Sequence, residues 1–254
     1  MKHLTWIPFA LGAVAAVTIW LPEQQSAIYS RVVLIAVALG VAASAFMTMR
    51  RFAPGDRLFV TWLLMGVGYL MATVRYSLRL TQLLHPSFTW PRAMTDGMLI
   101  VQNVLIAVSL FLFVRAWRKT GLATPGSRGA QLGGTLAGIA VAIVVGGYPL
   151  LHGFQTANAD LVLLVSTLGD MVGIALIVPL MMSALALRGG LLMHTWVYLA
   201  ASESVWLLYD IWYAIRTSTS MPPHTGRGIE EAIRIVAIGF ALVATVAQRR
   251  VVKP

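Results

Sequence analysis

Hydrophobic residues occur along this chain in eight long runs, which short polar segments separate. The runs lie near residues 4–21, 28–48, 58–80, 97–117, 131–152, 160–187, 194–216 and 228–248. A helix needs roughly 20 apolar residues to cross a bilayer core about 30 Å thick. Alternating segments of about ten residues, which are typical of membrane strands, are absent. The pattern predicts an all-α, polytopic membrane bundle of about eight transmembrane helices that forms one domain over 1–254.

The composition of the chain also favours a membrane location. Of its 254 residues, 58% are hydrophobic and 11% are charged, and the mean hydropathy is +0.79. Soluble domains contain about 25% charged residues, and no polar stretch here is long enough to form one. Lys2 and His3 precede the first run, as in a signal peptide, but Pro8 interrupts it and no small-residue cleavage site precedes Glu23. We therefore expect a retained first helix.

The positions of the basic residues predict the orientation of the bundle, because cytoplasmic loops are enriched in Lys and Arg. In an eight-span arrangement, most of the 19 basic residues fall on one side, together with a single acid, Asp56. These basic residues are Lys2, Arg50, Arg51, Arg57, Arg115, Arg118, Lys119, Arg128, Arg188, Arg249, Arg250 and Lys253. The pattern predicts an inner (cytoplasmic) membrane protein with both termini in the cytoplasm. The net charge of +10 is then mostly a topology signal, and we expect no nucleic-acid partner.

Three predicted helical hairpins share a weak internal repeat. In each, a Tyr and a basic residue end one helix, and an acid follows 17 to 22 residues after that Tyr. The three sets are Tyr76, Arg79 and Asp96; Tyr148, His152 and Asp170; and Tyr213, Arg216 and Glu230 or Glu231. This repetition favours a bundle built from duplicated hairpins. The alternative is that Tyr and Arg simply mark the headgroup region of the membrane.

Several ionisable residues lie inside the predicted spans. Each costs at least about 2.5 kcal/mol to insert, so such residues usually face the interior of a bundle. Their similar depth predicts one polar chamber in the outer half of the bundle, with an aromatic wall that binds a small ligand. The candidate ligand-binding residues are Arg75, Gln102, Asn103, Asp170, Glu203, Trp206, Tyr209, Asp210 and Tyr213.

A structural role for the same charges is the competing interpretation. In it, Arg75 pairs with Asp170 or Asp210, and Glu230 pairs with Arg234, so that the charges neutralise each other and brace the helices. The closely spaced glycines Gly169 and Gly173 are expected to serve helix packing within the bundle.

Most familiar catalytic chemistry has no visible basis in the sequence. A serine-hydrolase elbow, a P-loop, a Rossmann glycine pattern and an HExxH helix are absent, and there is no cysteine. No histidine lies in the middle of a span. We therefore expect a protein without enzymatic activity and without a metal site, and the sequence identifies no cofactor. The alternative is a metal site formed by His85, His152 and His224 in the outer loops.

A group of short motifs lies between residues 168 and 214. They are Leu168-Gly169-Asp170, Pro179, Leu187-Arg188-Gly189-Gly190 and the segment WLLYDIWYA from Trp206 to Ala214. Together they resemble the multi-pass membrane sensor regions that precede GGDEF-type diguanylate cyclase and histidine kinase domains in bacteria. The resemblance implies a membrane domain that senses a ligand or a membrane state, with Asp170 and Asp210 as its polar positions. Because no signalling domain follows the last run in this sequence, we expect the output to pass through a partner protein.

Three functional hypotheses follow from these patterns. The first is a sensor-type or ligand-binding bundle, embedded in the lipid bilayer, that acts through partner proteins. The second is an accessory or structural subunit of a larger membrane complex, in which the buried charges only brace the helices. The third is a small proton-coupled transporter in which Glu203 and Asp210 titrate.

Overall fold

The computed structural model of this chain describes residues 6–118, 128–155, 161–186, 192–218 and 223–251. These ranges contain eight α-helices, one short 3-10 helix and no strand, which confirms the all-α prediction. The α-helices are α1 Trp6–Ala16, α2 Glu23–Met49, α3 Arg57–Leu84, α4 Arg92–Arg118, α5 Arg128–Gln155, α6 Leu161–Ala186, α7 Leu192–Ser218 and α8 Pro223–Val251. The 3-10 helix, Val17–Ile19, directly follows α1.

Some of the sequence-based predictions concern residues outside this description. Among them are the basic residues Lys2, Lys119, Arg188 and Lys253 and the turn at 187–190. The side chains of five further residues also lie outside it: Arg118, Arg128, Tyr148, His152 and His224. The histidine metal site and the second copy of the hairpin repeat therefore stay predictions.

Three helices in the described ranges are long and apolar enough to cross a membrane. They are α2, α3 and the segment Arg92–Ala116 of α4. Shorter apolar stretches occur at Trp6–Ile19, Leu132–Gly147 and Thr167–Leu176. These findings indicate a helical membrane protein, as the composition predicted. The runs near 28–48 and 58–80 lie inside α2 and α3, which extend beyond them into polar residues.

Six of the helices pack side by side in a closed ring. Around this helix ring the order is α2, α3, α4, α6, α7 and α8, and α8 then packs against α2. α1 packs against α8, and α5 packs against α6. Both of these outer helices expose large apolar side chains, such as Trp6 and Val144. In a membrane, these side chains would contact lipid.

The helix ring has two ends that differ in packing. We call the end at which α2, α4 and α8 begin the distal end, and the end at which α3 and α7 begin the proximal end. Near the proximal end, the ring of Phe113 lies edge-on to both Trp62 and Trp196, at centroid distances of 4.7 and 5.7 Å. All three side chains are buried. The interior of the helix ring is therefore filled at its proximal end.

Candidate functional site

A cavity lies inside the helix ring, on the distal side of the aromatic cluster. We call it the inner cavity; its volume is about 120 Å³, and α3, α4, α6, α7 and α8 all contribute to its wall. The apolar part of the wall includes Ala72, Leu99, Ile106, Leu110 and Ile238. A cavity of about 150 Å³ is large enough for a molecule such as benzene. The inner cavity therefore suits several waters or one small molecule.

Seven of the nine predicted site residues line the inner cavity. They are Arg75, Gln102, Asn103, Asp170, Glu203, Trp206 and Tyr209. Asp210 lies next to the wall, with its carboxyl group within hydrogen-bonding reach of Asp170. Tyr213 stacks on Tyr209, with 6.3 Å between the ring centres. The structure thus brings the predicted residues together, while their binding of a ligand stays a prediction.

Two residues of the wall each have one polar side-chain atom that is buried without a hydrogen-bond partner in the described part of the chain. These atoms are Nε of Arg75 and Oε1 of Gln102, and the two residues are 9% and 6% exposed. Leaving such a group unsatisfied costs about 1–3 kcal/mol, and more if the group is charged. A molecule that accepts a hydrogen bond from Arg75 and donates one to Gln102 would remove this cost.

The expected pairing of Arg75 with Asp170 or Asp210 does not occur among the ion pairs of the described residues. The guanidinium carbon of Arg75 instead lies 5.7 Å from the centre of the Tyr76 ring. Arg31 approaches the same ring, at 5.9 Å. The π-system of Tyr76 attracts both cations, but it leaves the hydrogen-bonding capacity of Arg75 unused.

Three carboxyl groups on α6 and α7 form the acidic side of the site. Asp170 and Glu203 line the inner cavity, and Asp210 lies beside Asp170. Two carboxyl groups side by side can share a hydrogen bond only when one of them carries a proton, because an ionised carboxylate only accepts. Within the ranges described above, no group of three His, Asp or Glu side chains has the geometry of a metal site. Carboxyl groups in this position can accept hydrogen bonds from a polar organic group or from water.

Two glycines of α6 allow the helices around the site to approach closely. A methyl group on Gly169 would lie 3.2 Å from Cβ of Asn103, and one on Gly173 would collide with the carboxylate of Glu203. Their spacing predicted a role in internal packing, and these contacts agree with it. Gly173 also sets the position of Glu203, because the carboxylate occupies the space that a side chain would fill.

Three polar side chains of the wall were not among the predicted site residues: Tyr69, Tyr76 and Arg234. Tyr69 and Tyr76 are seven residues apart and share one face of α3 with Ala72, which is a helical spacing that could have identified them. Tyr69 lies within hydrogen-bonding reach of Ser202, whose hydroxyl donates to the carbonyl of Ala237 at 2.9 Å. This chain of contacts connects α3, α7 and α8.

Three ion pairs at the distal end join α8 to α2 or α7, and a fourth, between Glu231 and Arg234, lies along α8. Arg216 on α7 is paired with Glu230. The predicted pair between Glu230 and Arg234 is therefore wrong. Glu231 accepts from Arg31 and Arg234, at 3.3 and 3.2 Å. The end of α7 lies alongside the start of α8, which gives Glu230 a partner from another helix.

These charges line a second and larger cavity at the distal end, which we call the outer cavity. Its volume is about 610 Å³, and residues of α2, α3, α7 and α8 form its wall. Arg234 lines both cavities. The side chain of Arg234 also donates a hydrogen bond to the hydroxyl of Tyr209. The Arg234 and Tyr209 pair therefore separates the inner cavity from the outer one.

Comparison of the chain with protein-family models, with curated proteins and with solved structures found no significant match. The contacts and charges of the two cavities are therefore the basis for the function proposed below.

Proposed function

We propose that this protein is a membrane-embedded, ligand-binding helical bundle of sensor type, which holds a small polar molecule in the inner cavity. One observation carries the proposal: Arg75 and Gln102 line the same cavity, and Nε of Arg75 and Oε1 of Gln102 are buried without hydrogen-bond partners in the described ranges. A bundle that served only as a brace would have no reason to keep these two groups unsatisfied beside three acids.

The chemistry of the wall restricts the bound molecule. One side offers the guanidinium of Arg75, which donates hydrogen bonds and favours an acceptor or a negative charge. The other side offers the carboxyl groups of Asp170 and Glu203, which favour donors. Trp206 and Tyr209 add a wall for an apolar or planar part. The ligand is therefore a small molecule with an acceptor at one end and a donor at the other.

Eight spans are part of this proposal. Each of α2 to α8 has at least 26 residues, or about 39 Å at 1.5 Å per residue, which exceeds a bilayer core of about 30 Å. The hydropathy of α7 and α8 is lowered by residues such as Glu203 and Arg234, which face the cavities instead of lipid. α1, with 11 residues, and the 3-10 helix after it, with 3, form the shortest of the proposed spans.

The orientation in the proposal follows from the charges at the two ends. Arg50, Arg51 and Arg57 flank the connection at the proximal end, so the positive-inside rule places that end in the cytoplasm. The outer cavity then opens on the far side of the inner membrane. The same rule assigns both termini, which precede α1 and follow α8, to the cytoplasm. A ligand would enter from outside, and a partner protein would receive the signal inside.

An accessory subunit is the second candidate function, and a specific observation favours it. Arg216 with Glu230, and Arg31 with Glu231, connect α7 to α8 and α2 to α8 by partly buried ion pairs. Such pairs are what bracing requires. A proton-coupled transporter, with Glu203 and Asp210 as the titrating pair, is the third, and it requires Glu203→Gln to abolish transport.

Replacing Arg75 by Gln separates ligand binding from bracing. If Arg75 has no carboxylate partner, Arg75→Gln removes a buried, uncompensated charge, so the purified protein should be at least as stable to heat as the wild type. If Arg75 braces an acid instead, the variant should lose about 3 kcal/mol or more, because breaking a buried ion pair leaves the other charge unpaired. Arg216→Gln is the matched control, since it does break a pair and should destabilise.

A further inference from the structure

The outer cavity carries more positive than negative charge. Arginines from four helices line it: Arg31 of α2, Arg79 of α3, Arg216 of α7, and Arg227 and Arg234 of α8. Among the residues that the structure describes, only three acids, all glutamates, line the same cavity. The described part of the wall therefore carries two more positive than negative charges.

The ion pairs show which arginines carry the excess positive charge. Arg216 and Arg227 each have a glutamate of their own, Glu230 and Glu23. The other two arginines in ion pairs, Arg31 and Arg234, share the single carboxylate of Glu231. Arg79 has no ion pair within the described residues. The uncompensated charge thus belongs to Arg79 and to the two arginines that share Glu231.

These arginines lie near enough to repel each other. Arg31 and Arg234 both repel Arg79, which is partly buried, and one acid, Asp96, attracts it from outside the cavity wall. Like charges in a partly desolvated site are unfavourable unless an anion lies between them. Guanidinium groups are also the protein groups best suited to bind phosphate oxygens, because they form two parallel hydrogen bonds.

The length of α3 indicates the depth of Arg79 in a membrane. α3 has 28 residues, about 42 Å, so a centred and upright α3 would extend about 6 Å beyond each face of a hydrocarbon core about 30 Å thick. Arg79 lies five residues before the end of α3 at Leu84, near this boundary. The cavity is wide enough for a phosphate and a substituent attached to it.

We propose that the outer cavity binds a phosphate group, held by Arg79 and flanked by Arg31 and Arg234. The phosphate belongs either to the headgroup of an anionic lipid or to a soluble molecule, and both present the same oxygens to the arginines. This site is distinct from the ligand site proposed for the inner cavity, because Arg79 and Arg31 do not line that cavity, although Arg234 lines both.

The test uses the full chain purified in mild detergent, with two probes. Calorimetry measures the binding of inorganic phosphate, and native mass spectrometry measures the retention of added phosphatidylglycerol against a phosphate-free galactolipid. Both probes are applied to the wild type, to Arg79→Gln, and to the control Arg92→Gln. Arg92 is at the same end of the bundle with an 80% exposed side chain, so the control removes the same charge outside the cavity.

The wild type should bind at least one probe, at one site per chain. Arg79→Gln should weaken that binding about tenfold, as expected for the loss of charge-assisted hydrogen bonds, while Arg92→Gln should change it less than twofold. Binding of phosphatidylglycerol alone assigns the site to a lipid headgroup, and binding of inorganic phosphate assigns it to a soluble phosphate compound.

Two results would overturn the proposal: no binding of either probe to the wild type, or equal weakening by Arg79→Gln and Arg92→Gln. If Arg79→Gln does not give folded protein, Arg79→Lys replaces it. That variant keeps the charge but loses the paired hydrogen bonds, so binding should fall severalfold. Unchanged binding in Arg79→Lys would then contradict the assignment of Arg79.

Discussion

The guanidinium of Arg234 lies 4.7 Å from the centre of the Tyr209 ring and donates a hydrogen bond to the hydroxyl of the same tyrosine. A second bond connects Arg234 to Glu231, at 3.2 Å. Because Arg234 lines both cavities, these contacts join α7 to α8 at the wall between the two cavities. The wall therefore depends on one arginine with two fixed partners.

The first prediction concerns this wall. Tyr209→Phe removes the hydroxyl that accepts from Arg234 but keeps the ring. We expect a loss of about 1.5–3 kcal/mol in the free energy of unfolding, as for hydrogen bonds to charged groups, measured by denaturation in mild detergent. Tyr29→Phe is the control: the hydroxyl of Tyr29 donates to the neutral carbonyl of Val14, so its loss should be smaller. Equal losses in the two variants would contradict the role of the Arg234 and Tyr209 pair.

The second prediction concerns the position of Glu203. Gly173→Ala places a methyl group where the carboxylate of Glu203 lies, so Glu203 must move, and the strain should cost about 1–3 kcal/mol. Gly97→Ala is the control, because open space surrounds a methyl group there. In that variant the helix propensity of alanine should keep or raise the stability. Thermal unfolding of both purified variants measures the difference, and a stable Gly173→Ala protein would place Glu203 elsewhere.

The third prediction concerns orientation, and the lack of cysteine makes the test simple because each introduced thiol is unique. Ser87→Cys lies in the distal connection 85–91, and Ala53→Cys lies in the proximal connection 50–56; both positions are exposed. A membrane-impermeant maleimide added to intact cells should label Ser87→Cys at once and Ala53→Cys only after the membrane is permeabilised. The reverse pattern would invert the proposed topology.

The fourth prediction concerns the polarity of the inner cavity. Ala72→Cys would line the cavity, whereas Ala42→Cys would lie in the packed core of α2; both alanines are 1% exposed. A small, charged methanethiosulfonate reagent should modify Ala72→Cys much faster than Ala42→Cys, because thiol reactivity requires water and an ionised thiol. Equal and slow rates would mean that the cavity is closed to polar molecules.

The grouping of the site residues could be predicted from sequence, because charged residues in apolar runs must face the interior of a bundle. That rule alone placed Arg75, Asp170 and Glu203 around a common space. It could not give their partners, since these depend on the order of helices around the ring. In the chain, α5 comes between α4 and α6, but in space it lies outside the helix ring. Nothing in the hydrophobic pattern distinguishes α5 from the helices of the ring.

The distal ion pairs show the same limit. The spacing of Glu230 and Arg234 on α8 favours a pair along the helix, but Arg216 from α7 is the actual partner of Glu230. A contact between two helices competes with the local one and wins because the end of α7 lies beside the start of α8. Such contacts follow from tertiary packing and leave no mark in local spacing.

The most direct test of the central claim is mass spectrometry of small molecules that remain with the protein after purification from its native membrane in mild detergent. We predict one polar molecule per chain in the wild type, and its loss in Arg75→Gln while the variant stays folded. A wild-type protein that carries no such molecule, or an Arg75→Gln variant that retains it in full, would contradict ligand binding in the inner cavity.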